Sequence, residues 1–156
     1  MTPPNPPSAT RGPPGLDARE LENAVGLWLR LAQQRDLREF TRRFALTDIS
    51  QLQYAALLVI AANPGCRQAD LGNMLRIRQP NLVEPLESLT DRGLIVRRPD
   101  PRDGRAQTLA LTAAGATLLE DLQAVHEELI GSYRARLGPD DYRRLVELLR
   151  AFVEGA

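Results

Sequence analysis

Residues able to bind phosphates and base edges concentrate in two short segments near the middle of the chain. The first is RIRQPN, residues 76–81, and the second is PRDGR, residues 101–105. All 20 basic residues of the chain are arginine. The planar guanidinium group makes paired hydrogen bonds with phosphate oxygens and with the edge of guanine. Both segments are therefore candidates for contacting a nucleic acid.

The charge of the whole chain is balanced, with 20 basic and 20 acidic residues and a net charge of zero. Overall charge therefore gives no sign of nucleic-acid binding. The local charge does indicate a basic segment, because residues 92–105 contain five arginines and only two acids, Asp100 and Asp103. Residues 112–156 show the opposite balance, with five arginines and eight acids. Positive charge thus gathers in the middle of the sequence.

Length and composition predict one cytoplasmic domain with a tail. A chain of 156 residues with 43% apolar content can bury a single core. It contains no apolar run of the about 18 residues that predict a membrane span. Residues 1–15 are rich in proline and lack the pattern of a secretory signal, which predicts a disordered tail. The single cysteine, Cys66, excludes an internal disulfide.

Apolar residues at intervals of three and four predict a helical chain. A long first helix covers about residues 16–45, and a second begins after Ser50, which forms a capping-box signature with Gln53. Residues 63–65, Asn-Pro-Gly, stop that helix, and a short third helix follows at about residues 68–75. The apolar positions of this third helix are Ala69, Leu71, Met74 and Leu75.

The fourth predicted helix, about residues 80–92, contains two prolines. Pro80 suits the first helical position, where a backbone N–H would have no partner. Pro85 lies inside the helix and removes the hydrogen bond to the Asn81 carbonyl, so we expect a bend in the second turn. Gly93 suits the C-terminal cap. The predicted apolar stripe consists of Leu82, Val83, Leu86 and Leu89.

A charged β-hairpin and two helices complete the predicted fold. Residues 94–98 and 107–111 are β-prone runs separated by turn-forming residues. Thr112 caps a long helix that Gly138 and Pro139 end, and a last helix begins at Asp140 or Asp141. The apolar stripe of the last helix is Leu145, Val146, Leu149, Phe152 and Val153.

Two short helices followed directly by a two-stranded hairpin are typical of a winged helix-turn-helix. This fold places one helix in the major groove of duplex DNA, while the basic hairpin reaches the flanking backbone or the minor groove. The polar side of the fourth predicted helix carries Pro80, Asn81, Glu84 and Ser88. The residues themselves therefore predict double-stranded DNA as a partner.

Residues 70–115 resemble the DNA-binding core of the MarR (multiple antibiotic resistance regulator) family. The shared features are Leu89-x-x-x-Gly93-Leu94, Arg97-Arg98, Asp103-x-Arg105 and Leu111-Thr112-x-x-Gly115. The resemblance extends from about residue 16 to the end of the chain. It implies a mainly α fold with a small β-hairpin, in which residues 47–111 form the winged helix-turn-helix. Residues 16–46 and 112–156 would then form the dimerisation helices.

The resemblance also implies an obligate homodimer that regulates transcription, usually as a repressor bound to a pseudo-palindromic operator. A small aromatic or anionic effector would release it from the DNA. The residues agree with a dimer, because both ends of the chain carry long apolar stripes and no large sheet is available to cover them.

Ten residues are candidate DNA contacts by this resemblance. They are Arg76, Arg78, Gln79, Pro80, Asn81, Glu84, Ser88, Arg102, Asp103 and Arg105. The residues from Gln79 to Glu84 would face the major groove, and Arg76 and Arg78 would contact phosphate. Arg105, steadied by Asp103, would enter or flank the minor groove beside Arg102. Glu84 departs from the family pattern, and either it accepts from a cytosine amino group or it is simply solvated.

Four residues are candidate effector contacts, because the family uses a pocket between the dimer helices and the winged domain. They are Trp28, Phe40, Arg43 and Tyr54. Aromatic residues at helical spacing are more often part of a core, so this second interpretation stays open.

Two other functions stay open. A winged helix without an operator could bind proteins through its wing or its tail. Cys66 could make a thiol-based redox-sensing regulator, although no second cysteine is present to resolve an oxidised thiol. His126 has no neighbouring histidine or cysteine, so we expect neither metal nor cofactor. The sequence also lacks the nucleophile, phosphate-loop and metal motifs of enzymes, which predicts a non-enzymatic protein.

Overall fold

The computed structural model describes residues 21, 23–101 and 103–155. The helices are α1 (Val25–Phe44), α2 (Gln51–Ala62), α3 (Gln68–Leu75), α4 (Pro80–Asp91), α5 (Ala113–Leu137) and α6 (Pro139–Glu154). The strands are β1 (Cys66–Arg67), β2 (Ile95–Asp100) and β3 (Asp103–Leu111). The predicted mainly α fold with a small β-hairpin is confirmed, whereas the predicted tail at residues 1–15 lies outside the described residues.

The chain divides into two compact units, with the boundary between Arg38 and Glu39. The larger unit begins at Glu39 and contains the winged helix-turn-helix. Its core is formed by Phe40 and Phe44 together with apolar side chains from α2, α3, α4, α5, β2 and β3. The winged domain therefore has a hydrophobic core that the end of α1 and the long helix α5 complete.

Local capping interactions set several helix ends where the sequence predicts them. The Ser50 hydroxyl accepts from the N–H of Gln53 at 3.2 Å, and Oε1 of Gln53 accepts from the N–H of Ser50 at 2.9 Å. The Thr112 hydroxyl accepts from the N–H of Gly115 at 3.0 Å. Gly93, with φ of +66°, follows the end of α4. These bonds satisfy backbone groups that a helix end leaves unpaired.

Helix α4 runs from Pro80 to Asp91 and passes through Pro85. The prediction that both prolines belong to one helix is confirmed, while the bend at Pro85 stays a prediction. Leu82, Leu86 and Leu89 are buried, as expected. The predicted buried stripe is wrong at Val83, which is 41% exposed. Val83 lies about 100° around the helix from Leu82 and so points away from the core.

Helix α3 has the predicted bounds, but its predicted apolar face is wrong in part. Leu71 is fully buried and Leu75 is half-buried, whereas Met74 is 60% exposed and Ala69 is also exposed. A helix of only eight residues packs a narrow stripe against the core, so apolar spacing overstates what it buries.

The sheet has three antiparallel strands in the order β1-β3-β2. The sequence predicted β2 and β3 but not β1, in which Cys66 pairs with Leu109 and Arg67 pairs with Thr108. The turn between β2 and β3 is also shorter than predicted, since Asp100 pairs with Asp103. An irregularity between Pro99 and Asp100 lets the strand continue past the proline.

Helix α6 begins at Pro139, one or two residues earlier than predicted, and no residue of it is buried. The predicted stripe of Leu145, Val146, Leu149, Phe152 and Val153 is 39–65% exposed. Within the described part of one chain, this apolar face is therefore uncovered.

Gly115 is required where α5 begins beside the wing. A Cβ atom at this position would overlap the carbonyl oxygen of Leu94. We expect Gly115→Ala to lower the free energy of unfolding by about 1–3 kcal/mol, because the backbone must move to relieve the overlap. Urea denaturation measures this change. Gly131→Ala, on the same helix with nothing within 4 Å of its Cβ, is the matched control, and equal stabilities of the two variants would contradict the assignment.

Pro85 should cost helix stability, because it cannot donate to the Asn81 carbonyl. We expect Pro85→Ala to raise the free energy of unfolding by as much as about 3 kcal/mol and the Tm with it, as measured by thermal denaturation. Pro80→Ala serves as the control, since proline is favourable at the first helical position and its loss should bring no such gain. A Tm for Pro85→Ala at or below that of Pro80→Ala would refute the expected strain.

Candidate nucleic-acid interface

The predicted DNA-reading face of α4 lies at the protein surface. Pro80, Asn81 and Glu84 are exposed, on the side of α4 away from its buried leucines. Residues 76–79 form the turn from α3 to α4, in which Arg76 adopts a left-handed conformation with φ of +54°. The turn is closed by the N–H of Ile77, which donates to the Gly72 carbonyl at 2.9 Å. Residues 78–84, from the turn into the start of α4, therefore form a polar edge that is exposed to solvent.

Gln79 is exposed and flanks the start of α4. Its Nε2 donates to the carbonyl oxygen of Gln68 at 3.2 Å. Gln68 is the first residue of α3, so this bond joins the N-terminal ends of the two helices. The side chain of Gln79 is consequently held in place before any ligand arrives.

Ser88 differs from the other candidates on α4. It is half-buried, and its hydroxyl accepts a hydrogen bond from Nε2 of Gln53 at 3.1 Å. This contact ties α4 to α2, while Oε1 of the same Gln53 caps the start of α2. The geometry therefore supports a packing role for Ser88 more strongly than a base contact.

The two arginines of the turn have different surroundings. Nη1 of Arg76 donates to the carbonyl oxygen of Val153, near the end of α6, at 3.3 Å. Arg78 is exposed and has no ion-pair partner within the described ranges. Arg78 is therefore available to an anion, and Arg76 keeps the remaining donors of its guanidinium while Nη1 is bonded to α6.

The wing is joined to the helix-turn-helix by a salt bridge between Arg67 and Asp100. The carboxylate of Asp100 is fully buried, and its Oδ2 lies 2.7 Å from Nε and 2.6 Å from Nη2 of Arg67. The hydrogen bond and the charge of Asp100 raise the pKa of Arg67, which therefore stays protonated. Asp70 in the first turn of α3 accepts from the N–H of Arg67 at 3.0 Å. One arginine thus connects β1, the start of α3 and the end of β2.

A second bond reinforces this connection, since Nη1 of Arg97 on β2 donates to Oε1 of Gln68 at 3.3 Å. Sequence reasoning missed both Arg67 and Asp100. The sequence feature that could have indicated this salt bridge was Asp100, an acid that precedes a proline shortly after the β-prone run of residues 94–98.

The residues at the tip of the wing are only partly described. Asp103 is exposed, and its Oδ2 lies 3.8 Å from Nη2 of Arg67. Arg102 and the side chain of Arg105 lie outside what the structure describes. The expected support of Arg105 by Asp103 accordingly stays a prediction.

The candidate effector residues of the larger unit belong to the core or border it. Phe40 and Tyr54 are 3% and 5% exposed, and both rings pack against Phe44. Burial raises the pKa of Tyr54, whose ring lies 5.1 Å from the ring of His126. This contact packs the half-buried His126 against the core. Trp28 lies in the smaller unit and is 40% exposed.

Arg43 stands between two acids, 4.0 Å from Glu39 and 3.9 Å from Glu128. Its Nε is buried and has no hydrogen-bond partner among the described residues. A buried guanidinium nitrogen without a partner is costly. Arg43 therefore has one donor that an anionic ligand could satisfy.

The environment of Cys66 does not favour a reactive thiolate. The residue is half-buried in β1, and burial, followed by the charge of Asp70, raises the pKa of its thiol. Reactive cysteines require the opposite shift.

Across residues 21, 23–101 and 103–155, we find no group of three or more potential metal ligands. None of the helices in these ranges is both long and apolar enough to span a membrane.

Comparison with known proteins identifies the family. Residues 47–106 match the family model described as "MarR family". A putative transcriptional regulatory protein for the hcr operon of Thauera aromatica is 30% identical over 127 residues, which cover 81% of this chain and 76% of the relative. The chain belongs to the MarR family.

Solved structures of MarR-like fold agree with the geometry of this MarR-family chain. The transcriptional repressor CouR bound to a 23-mer DNA duplex superposes with a TM-score of 0.82 and 32% identity, over 88% of this chain and 98% of CouR. CouR bound to p-coumaroyl-CoA gives a TM-score of 0.79 and 30% identity, over 90% and 99% of the two chains.

The Arg67–Asp100 salt bridge should stabilise this MarR-family fold. We expect Arg67→Ala to lower the free energy of unfolding by more than Arg98→Ala does, because it removes a partner of a buried carboxylate. Arg98→Ala removes an exposed arginine from β2, the strand that carries Asp100, and should change stability by less than about 0.5 kcal/mol. A double-mutant cycle with Asp100→Ala measures the pair itself, and a coupling energy below about 0.5 kcal/mol would argue against this role.

Proposed function

We propose that this chain is a homodimeric transcriptional repressor that binds a pseudo-palindromic duplex operator and leaves it when a small aromatic or anionic effector binds. The observation that carries the proposal is the exposed polar edge of residues 78–84 beside a wing held in place by Arg67 and Asp100. A similar chain, CouR, has been seen on a DNA duplex. The same arrangement here suits a helix in the major groove and a wing on the flanking backbone.

Each DNA contact has its own role in this proposal. Gln79, Pro80, Asn81 and Glu84 face base edges, with Ser88 behind them. Arg78 binds phosphate, and Arg76 binds phosphate through donors that its bond to Val153 leaves open. Arg102, Asp103 and Arg105 form the wing contact, in which Arg105 reaches the minor groove. Phosphate contacts fix the position of the protein, and base contacts supply specificity.

The uncovered face of α6 supports a second copy of the chain as a partner. Its large apolar side chains are 39–65% exposed in the described chain, so complete burial of each would contribute roughly half of the about 1.5–3 kcal/mol expected for a fully exposed side chain. Two-fold symmetry then sets the two copies of α4 roughly 34–36 Å apart, one turn of DNA. The operator should accordingly be a pseudo-palindrome with half-sites one turn apart.

An effector acts in this proposal by favouring a dimer with a different spacing of the two α4 helices. The ligand must bind that arrangement better than the DNA-bound one, since equal affinity would shift nothing. CouR binds p-coumaroyl-CoA, a ligand both aromatic and anionic. Arg43 is the strongest contact candidate because its Nε has no hydrogen-bond partner in the described part of the chain. Phe40 and Tyr54 would form the inner wall of the pocket, and Trp28 is the fourth candidate.

The same proposal makes the protein a cytoplasmic regulator without catalytic activity, metal or cofactor. A protein-interaction module without an operator and a thiol switch at Cys66 are the competing functions. The raised pKa of Cys66 makes the thiol switch the weaker of the two.

Salt dependence and footprinting on the DNA next to the gene test the repressor function. We expect two-fold symmetric protection and an affinity that falls steeply with salt. Arg78→Ala should reduce the slope of log affinity against log salt by roughly 2 per dimer, since about 0.9 counterion is released per phosphate contact. Arg136→Ala, an exposed arginine on α5, is the control and should leave the slope unchanged. If the protein bound this DNA no more tightly than random duplex, the proposed repressor function at this site would be wrong.

A further inference from the structure

The side chain of Gln79 is restrained by the protein although the residue is exposed. Its Nε2 donates a hydrogen bond to the Gln68 carbonyl at 3.2 Å. A free glutamine side chain loses conformational entropy when a contact orders it. A side chain that the protein already restrains avoids part of that cost when it binds a base.

The space that Gln79 occupies depends on Gly72. Gly72 is buried inside α3, and a Cβ atom there would overlap Nε2 of Gln79 and lie 3.0 Å from the carbonyl oxygen of Ile77. Glycine inside a helix lowers stability relative to alanine. The close approach of Gln79 and of the turn gives a physical reason for this glycine.

The hydrogen bond to the Gln68 carbonyl determines which donor and acceptor atoms of the Gln79 amide remain for a ligand. A backbone carbonyl can only accept, so the NH₂ group of Gln79 must face Gln68. One N–H of Nε2 and the oxygen Oε1 then remain for a ligand. Gln68 is itself restrained, because its side chain accepts from Arg97 on β2. The orientation of the amide is therefore supported from both the helix-turn-helix and the wing.

We propose that Gln79 is a specificity-determining residue that reads one adenine in each half of the operator. A neighbouring donor and acceptor on a side-chain amide match N7 and the N6 amino group of adenine in the major groove. The Gln68 carbonyl orients the amide, and Gly72 provides the room for it. This inference rests on the proposed function, since it requires that α4 lies in the major groove.

Selection from randomised duplexes tests the inference with the full-length protein. Wild-type protein should select adenine at one symmetric position in each half-site. Gln79→Ala should reduce that preference by about 5- to 150-fold, and the other positions should keep theirs. Gln79→Glu should move the preference at this position toward cytosine, whose amino group can donate to a carboxylate. Gln123→Ala, an exposed glutamine on α5, is the matched control and should leave every preference intact.

A second variant moves Gln79 without replacing it. Gly72→Ala should displace the amide from Gln68 and weaken the same adenine preference, while Gly131→Ala should not. Thermal denaturation shows whether Gly72→Ala still folds, and if it does not, the two Gln79 variants decide. An unchanged base preference in Gln79→Ala, or no symmetric adenine in the wild-type sites, overturns this inference alone. Wild-type protein that selects no sequence at all overturns the proposed function instead.

Discussion

The buried carboxylate of Asp100 sets the geometry on which the rest of the winged domain depends. A charge removed from water needs a close partner, and Arg67 supplies one from the boundary between β1 and α3. Satisfying this charge therefore fixes the far end of β2 against the first turn of the helix-turn-helix. The near end of the wing is fixed as well, because the hydroxyl of Thr112 donates to the Gly93 carbonyl at 2.6 Å. The wing is therefore joined to the start of α3 at its far end and closed by Thr112 at its near end.

The turn between α3 and α4 is held by residues next to the Arg67–Asp100 salt bridge. Arg67 and Gln68 are consecutive, so the residue that holds Asp100 precedes the residue that holds Gln79. On the other side of the turn, Arg76 reaches the end of α6 through the Val153 carbonyl. This bond joins the turn to the end of α6 within one chain. Under the proposed function, the other donors of the Arg76 guanidinium would remain for a phosphate.

Local signals predicted much of this fold, whereas contacts between distant segments escaped prediction. Ser50, Thr112 and Gly93 mark helix ends through bonds to near neighbours, so their types and spacing suffice. The strand β1 has only two residues and shows no alternation. Its pairing with β3 spans more than 40 residues of sequence, as register Cys66 to Leu109 shows. For the site, sequence predicted the exposed face of α4, but not that Gln53 engages Ser88, because that bond joins two helices.

In helix α4, the residues that stabilise the fold lie on a different face from the residues that are candidates for contacting DNA. Its sequence is a poor helix former, with prolines at positions 80 and 85, so its stability must come mainly from the burial of Leu82, Leu86 and Leu89. Pro80, Asn81 and Glu84 contribute nothing to that burial, since they are exposed. Under the proposed function, substitutions on this face would change which bases are read while the buried leucines maintain the fold. Gln79 would be the exception, because a Cβ atom at Gly72 inside the protein would overlap its amide, so a change of specificity there would be tied to the packing of α3.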